Sequence, residues 1–127
     1  MKKLKIIAGI ALLIVILVFL WIRHINHEMT QITIEQVNIS RIQDGEYSGE
    51  FSQGPIRAQT LTHIQDGKIT AIDLVHHDHG LGSRAESIID DVVQDQSLQV
   101  DTISGATGSS KVILKSIEIG LTKEESQ

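Results

Sequence analysis

The 127-residue sequence has no cysteine, one proline and only four aromatic residues. Without cysteine there is no disulfide, iron–sulfur cluster, thiolate zinc site or thiol nucleophile. The aromatics are Phe19, Trp21, Tyr47 and Phe51, too few for a platform on which nucleic-acid bases stack. Positive charge is also scarce: 11 basic against 16 acidic residues, a net -5. Phosphate backbones need clustered Lys and Arg, so nucleic acid is not an expected partner. The length fits one small domain plus an anchor, not two full domains.

Residues 6–22, IIAGIALLIVILVFLWI, carry no charge. A bilayer core takes about 20 apolar residues as a helix, within a range of about 17–25. The run is apolar all round, whereas a soluble core helix is striped. Lys2, Lys3 and Lys5 precede it, Arg23 closes it, and Trp21 stands where an interfacial ring belongs. A cleaved signal peptide would need a shorter apolar region and a small-residue cleavage site. The sequence after the run, Phe19 to His24, has none. The expectation is an uncleaved single-pass signal anchor over 1–23, with its positive end in the cytoplasm and the rest extracytoplasmic. Beyond Arg23 there are seven basic and sixteen acidic residues, a net -9, which favours a domain that stands off anionic lipid.

Residues 24–43 are polar with isolated isoleucines and read as stalk and lead-in, with His24 and His27 solvated. A domain is expected over 44–123, with a tail at 124–127. Asp44-Gly45 signals a turn, and Tyr47, Gly49 and Phe51 then alternate on one face. Gly54-Pro55 breaks the chain. Ile56, Ala58, Thr60, Thr62 and Ile64 form a second alternating face, and Asp66-Gly67 reads as a two-residue hairpin turn. Residues 68–76 continue as the partner strand. Ser83 with Glu86 resembles a capping box, opening an amphipathic helix through Ala85, Ile88, Ile89, Val92 and Val93 that fades near Ser97. A second helix is expected from about Ser109 to Leu121, with Ile113, Ile117, Gly120 and Leu121 inside. The fold class is α+β: a small antiparallel sheet with two packed helices, preceded by one N-terminal transmembrane helix.

The densest chemical signal is DTISGATGSSKVILKSIEIGL, 101–121. Gly105 and the hydroxyls of Ser104, Thr107, Ser109 and Ser110 stand just before a helix. Free backbone N–H groups at a positive dipole end suit an anion, phosphate above all. A plainer alternative is that Thr107, Ser109 or Ser110 N-caps the helix. The stretch is neither a Walker loop nor a GxGxxG turn.

Asp101-Thr102-Ile103-Ser104-Gly105-Ala106-Thr107 resembles the D-x-x-[ST]-G-A-[TS] flavinylation motif of FMN-binding domains. These occur in the flavin-carrying subunits of the sodium-pumping NADH:quinone reductase and Rnf complexes, and in small membrane-anchored or secreted proteins. DGEYSGEF (44–51), DGKITAIDLVHH (66–77), AESIIDDVVQDQSLQVD (85–101) and the last helix share the likeness. The resemblance implies that a flavin transferase joins FMN, taken from FAD, through its phosphate to the hydroxyl of Thr107. It implies that Asp101 and Ser104 are recognition positions, and that Gly105 and Ala106 leave room at the attachment point. It implies covalent FMN as cofactor, the transferase as partner, and an electron donor and acceptor still to be identified. The role implied is electron carriage rather than stand-alone catalysis.

His76, His77, Asp78 and His79 form the second cluster. Three imidazoles and a carboxylate could hold zinc or copper in an anchored metal-binding or sensor domain. Neighbouring strand residues point to opposite faces, however, so His76 and His77 cannot share one site without a bend. The resemblance instead implies that a loop with His77, His79, Gly80 and Gly82 lies along the flavin ring. Non-covalent binding of FMN or another phosphate ligand is the remaining alternative.

Overall fold

The computed structural model describes residues 1–78 and 82–123, apart from the side chains of residues 29 and 30. His79, Gly80 and the tail 124–127, all named above, lie outside the described residues. The helix α1 spans Lys2–Thr30. Three strands follow: β1 (Gly45–Gln53), β2 (Ile56–Gln65) and β3 (Lys68–Asp78). Then come α2 (Ile88–Asp95) and α3 (Thr107–Thr122). The sheet is an antiparallel meander in the order β1-β2-β3, so the fold is α+β behind an N-terminal apolar helix.

The hairpin turns follow from residue type. Asp66 and Gly67 both have positive φ, 53° and 71°, as a type I′ turn requires. Gly54 takes φ 57°, and Pro55 behind it is locked near φ −65°, so the order Gly-Pro fits the tight turn from β1 to β2. On β2 the residues Ala58, Thr60, Thr62 and Ile64 are buried and alternate with more exposed neighbours. On β1, Tyr47 and Gly49 are buried and Phe51 packs on the core.

The helix α3 lies on β1 and β2, and α2 on β3. Ile113, Ile117, Gly120 and Leu121 are buried as their spacing predicts. The contact with β1 is made by backbone. A Cβ at Gly49 would collide with the carbonyl oxygen of Ser116 and come within 2.6 Å of the Gly120 nitrogen. A Cβ at Gly120 would sit 3.0 Å from the Gly49 nitrogen. Behind this contact the Thr60 and Ser116 hydroxyls share a buried hydrogen bond of 3.1 Å.

Four elements depart from the sequence expectation. First, α1 continues past Arg23 to Thr30, because nothing in 24–30 is Pro or Gly to stop it. Second, the stretch after it is packed rather than a free stalk: Ile39 and Ile42 are buried, and Ile32, Ile34 and Val37 lean on the core. Third, Ser83–Ser87 form a 3₁₀ turn without a side-chain cap before α2 begins. The Glu86 carboxylate that would complete a capping box faces His77 instead, with Oε1 3.2 Å from Nδ1. Fourth, α3 begins at Thr107, ahead of Ser109.

The outer face of the sheet carries a charged cluster. His63 Nε2 lies 2.8 Å from Asp73 Oδ2, and Nδ1 lies 3.3 Å from Glu46 Oε1. The hydrogen bond with Asp73 raises the His63 pKa above its ordinary value, helped by the charges of Asp73 and Glu46. A raised folded-state pKa stabilises the fold below the unfolded value of about 6.5 and loses that contribution as pH rises through the folded value.

Two expected outcomes follow from this packing. Gly49→Ala should cost about 1–3 kcal/mol in denaturant unfolding, since backbone must give way; an unchanged midpoint would refute the close approach. His63→Gln should lower the melting temperature more at about pH 5.5 than at about pH 8.5, since the lost term belongs to the imidazolium. An equal loss at both pH values would contradict it.

Candidate functional site

The loop that leads into α3 is a β-turn. Ala106 N–H donates to the Ile103 carbonyl at 2.9 Å, which closes Ile103-Ser104-Gly105-Ala106. Gly105 has φ 79°, the value demanded at the third position of a type II turn and disfavoured for side-chain-bearing residues. A Cβ on Gly105 would meet nothing within 4 Å. Within the folded chain, then, it is conformation rather than room that calls for glycine here. Ala106 is buried at 6% exposure and is the N-cap of α3, with no side-chain cap hydrogen bond.

Ser110 locks this turn from below. Its hydroxyl is fully buried, accepts from Ile103 N–H at 3.0 Å and donates to the Ala106 carbonyl at 2.7 Å. One side chain thus ties both ends of the turn to the first turn of α3. The sequence marks Ser110 only as one hydroxyl among four, because its clamping partners are backbone atoms.

The turn sets the exposure of each candidate. Asp101, Ser104, Gly105 and Thr107 are exposed, whereas Ser109 and Ser110 are buried. Thr107 is the first residue of α3 and does not cap it, so the capping alternative is not what forms. The N–H groups of Thr107, Gly108 and Ser109 have no intrahelical partner at this end. They point with the positive helix dipole towards the exposed Thr107 side. Exposed hydroxyl, uncapped helix start and glycine turn together fit a phosphate-bearing ligand.

The histidine cluster divides as strand alternation requires. The His77 side chain is 2% exposed and faces Glu86, while His76 is 47% exposed and faces Asp78 Oδ2 at 3.0 Å. Among the described residues no three His, Asp or Glu side chains are grouped to hold a metal ion. The turn that carries Glu86 contacts α3. His77 is thus linked through Glu86 to a turn that packs on α3. Glu86 is a residue whose place here sequence reasoning missed: its partner lies across the fold on β3, and only the register reveals it.

The FMN-binding domain family matches residues 53–122, more than half of the chain. The match takes in β2, β3, both later helices and the whole 101–107 loop. The chain belongs to the FMN-binding domain family and is a flavin-binding protein whose cofactor is FMN. No curated protein matches it.

Replacing Ser110 by Ala should remove both bonds of the clamp and leave Ile103 N–H without its acceptor, a cost of about 1–3 kcal/mol. Hydrogen exchange at the Ile103 amide should quicken. Unaltered exchange there would show that the turn holds without the hydroxyl.

Proposed function

We propose that this protein is a membrane-anchored extracytoplasmic flavoprotein that carries electrons on FMN bound by a phosphoester to Thr107. The observation that carries this reading is the exposed hydroxyl of Thr107 at the uncapped first residue of α3, inside the family match. Burial of Ser109 and Ser110 supports the choice of Thr107 over the hydroxyls that follow it. The anchor is supported by α1, whose window Lys2–Glu28 is long and apolar enough to cross a membrane and is not buried by the domain. The side is supported by Lys2, Lys3 and Lys5 ahead of the apolar run.

Attachment from FAD is a phosphoryl transfer. A bond forms between Thr107 Oγ and the FMN phosphorus, the pyrophosphate bond breaks, AMP leaves, and the hydroxyl proton is lost. The chain supplies the acceptor oxygen, the helix N–H groups that offset phosphate charge, and the Ser110 clamp that fixes the turn. Asp101 and Ser104, both exposed on the same loop, are the positions a flavin transferase would read. Bound FMN supplies the electron-carrying chemistry. The partners are the transferase, an electron donor and an electron acceptor.

The test is coexpression of the full chain with a flavin transferase, followed by intact mass and peptide mapping. The native chain should gain one FMN less one water. Thr107→Ala should lose this mass while its stability stays within about 0.5 kcal/mol, because Thr107 makes no cap. Thr107→Ser should keep part of it. Undiminished covalent flavin on Thr107→Ala, or modification mapped to Ser104, Ser109 or Ser110, would sink the assignment. Flavin that is bound but released on denaturing the native chain would favour non-covalent binding.

A further inference from the structure

We infer that the end of the domain bearing Thr107 and His77 is held facing the lipid headgroups, by a strap of residues 31–42 that fastens the domain to the exit of α1. The inference rests on the membrane-anchor reading of α1 above, but not on covalent flavin.

The sheet has two distinct ends. The β1–β2 turn at Gly54-Pro55 marks one, and the β2–β3 turn at Asp66-Gly67 marks the other. Pairing of Arg57 with Asp78 and Ala58 with His77 places the end of β3, and so His77, beside the β1–β2 turn. The direction of α3 places Thr107 there too. Gly120 lies against Tyr47 and Ser48, while Ser116 lies against Gly49, so going back along α3 runs towards Gln53. From Ser116 to Thr107 the helix rises about 13 Å at 1.5 Å per residue. From Gly49 to Gln53 the strand advances about 13 Å at 3.3 Å per residue. The start of α3 is thus level with the β1–β2 turn.

The anchor meets this same end. Glu28 of α1 accepts a hydrogen bond from Gln53 Nε2 at 3.1 Å. A crevice of about 260 Å³ between them is lined by His24, Ile25, Glu28, Gln53 and Gly54. The uncharged run ends at Ile22 and Glu28 follows six residues later, so the junction reaches about 9 Å beyond the apolar core at 1.5 Å per residue. The headgroup layer on one side is about 5–8 Å thick. The Gln53 end therefore stands just outside the headgroups, while the ten residues of β2 carry the Asp66 end up to about 33 Å further along the strand direction.

The strap keeps the domain from swinging on this junction. Glu118, 5% exposed on α3, accepts the Glu35 N–H at 2.9 Å and the Lys115 ammonium at 2.7 Å. Lys115 also donates to the Thr33 carbonyl at 3.1 Å. Gln99 donates to the Ile34 carbonyl at 3.0 Å. Further along the strap, Ile39 and Ile42 are buried, and Ser40 lies beside Gly67. Backbone donors and acceptors of the strap are thus held by α3 and by the segment that precedes it.

Because the chain lacks cysteine, one introduced cysteine gives a unique label. Ser52→Cys marks the Gln53 end and Gln65→Cys the Asp66 end; both positions are exposed. Each full-length variant is labelled with a small fluorophore and reconstituted in phosphatidylcholine vesicles that contain headgroup-nitroxide lipid. Quenching should be several-fold stronger at position 52 than at 65. Two strap variants test the cause: Lys115→Met with Gln99→Ala, and a Gly-Ser-Gly insertion after Gln31 that leaves every strap side chain in place. Both should bring the two quenching values together. Equal quenching at 52 and 65 in the native background overturns the inference, as does an undiminished difference in the insertion variant. If high salt strips the chain from the vesicles, the anchor reading fails and takes this inference with it, while the mass of FMN on Thr107 remains a separate matter.

Discussion

The backbone contact between Gly49 and Gly120 is the constraint on which the rest of the domain depends. Two backbones that touch leave no room to slide, so the height and the register of α3 on the sheet are fixed together. Larger residues would have bought packing area but would have moved the helix away from the Thr60–Ser116 hydrogen bond. Once α3 is placed, its first residue is placed, and the Ile103–Ala106 turn clamped by Ser110 follows. The exposure of Thr107 is thus set by a contact at the other end of its own helix.

The same helix carries the join to the anchor. Burying a carboxylate such as Glu118 is costly unless charge and hydrogen-bond partners meet it. Lys115 and the Glu35 N–H meet it from two directions. Because one of those partners belongs to the strap, the strap cannot lift off without leaving a buried charge short of a donor. A polar segment of little intrinsic structure is in this way held as firmly as a strand.

Much of this was legible in the residues. The alternation of Ala58, Thr60, Thr62 and Ile64, the Asp66-Gly67 turn and the inner face of α3 are local patterns with local causes, and the structure follows them. The loop 101–107 carried the likeness to FMN-binding domains, and the family match agrees on FMN. What escaped was non-local. Ile39 and Ile42 look like isolated apolar residues until the fold closes over them. Glu86 looks like half of a capping box until β3 brings His77 to it. Ser110 reads as another hydroxyl near a helix start, although it is buried and bonded to the backbone of Ile103 and Ala106. Among the candidates on the glycine-histidine loop, the described structure takes in His76, His77 and Gly82.

The start of α3 breaks a local rule. Ala is among the poorest N-cap residues, and replacing a good cap by Ala typically costs about 0.5–2 kcal/mol. Hydroxyls suited to capping stand on both sides of Ala106, yet none caps the helix. Ser104 is held away by the turn, Thr107 is one residue too late, and Ser110 is occupied with the clamp. A conflict between local preference and fold is expected where the chain serves a ligand. The N–H groups that a cap would satisfy are the ones that can meet a phosphate. The missing cap and the exposed Thr107 hydroxyl are therefore two aspects of one arrangement, a helix start whose N–H groups no side chain of the N-cap residue meets.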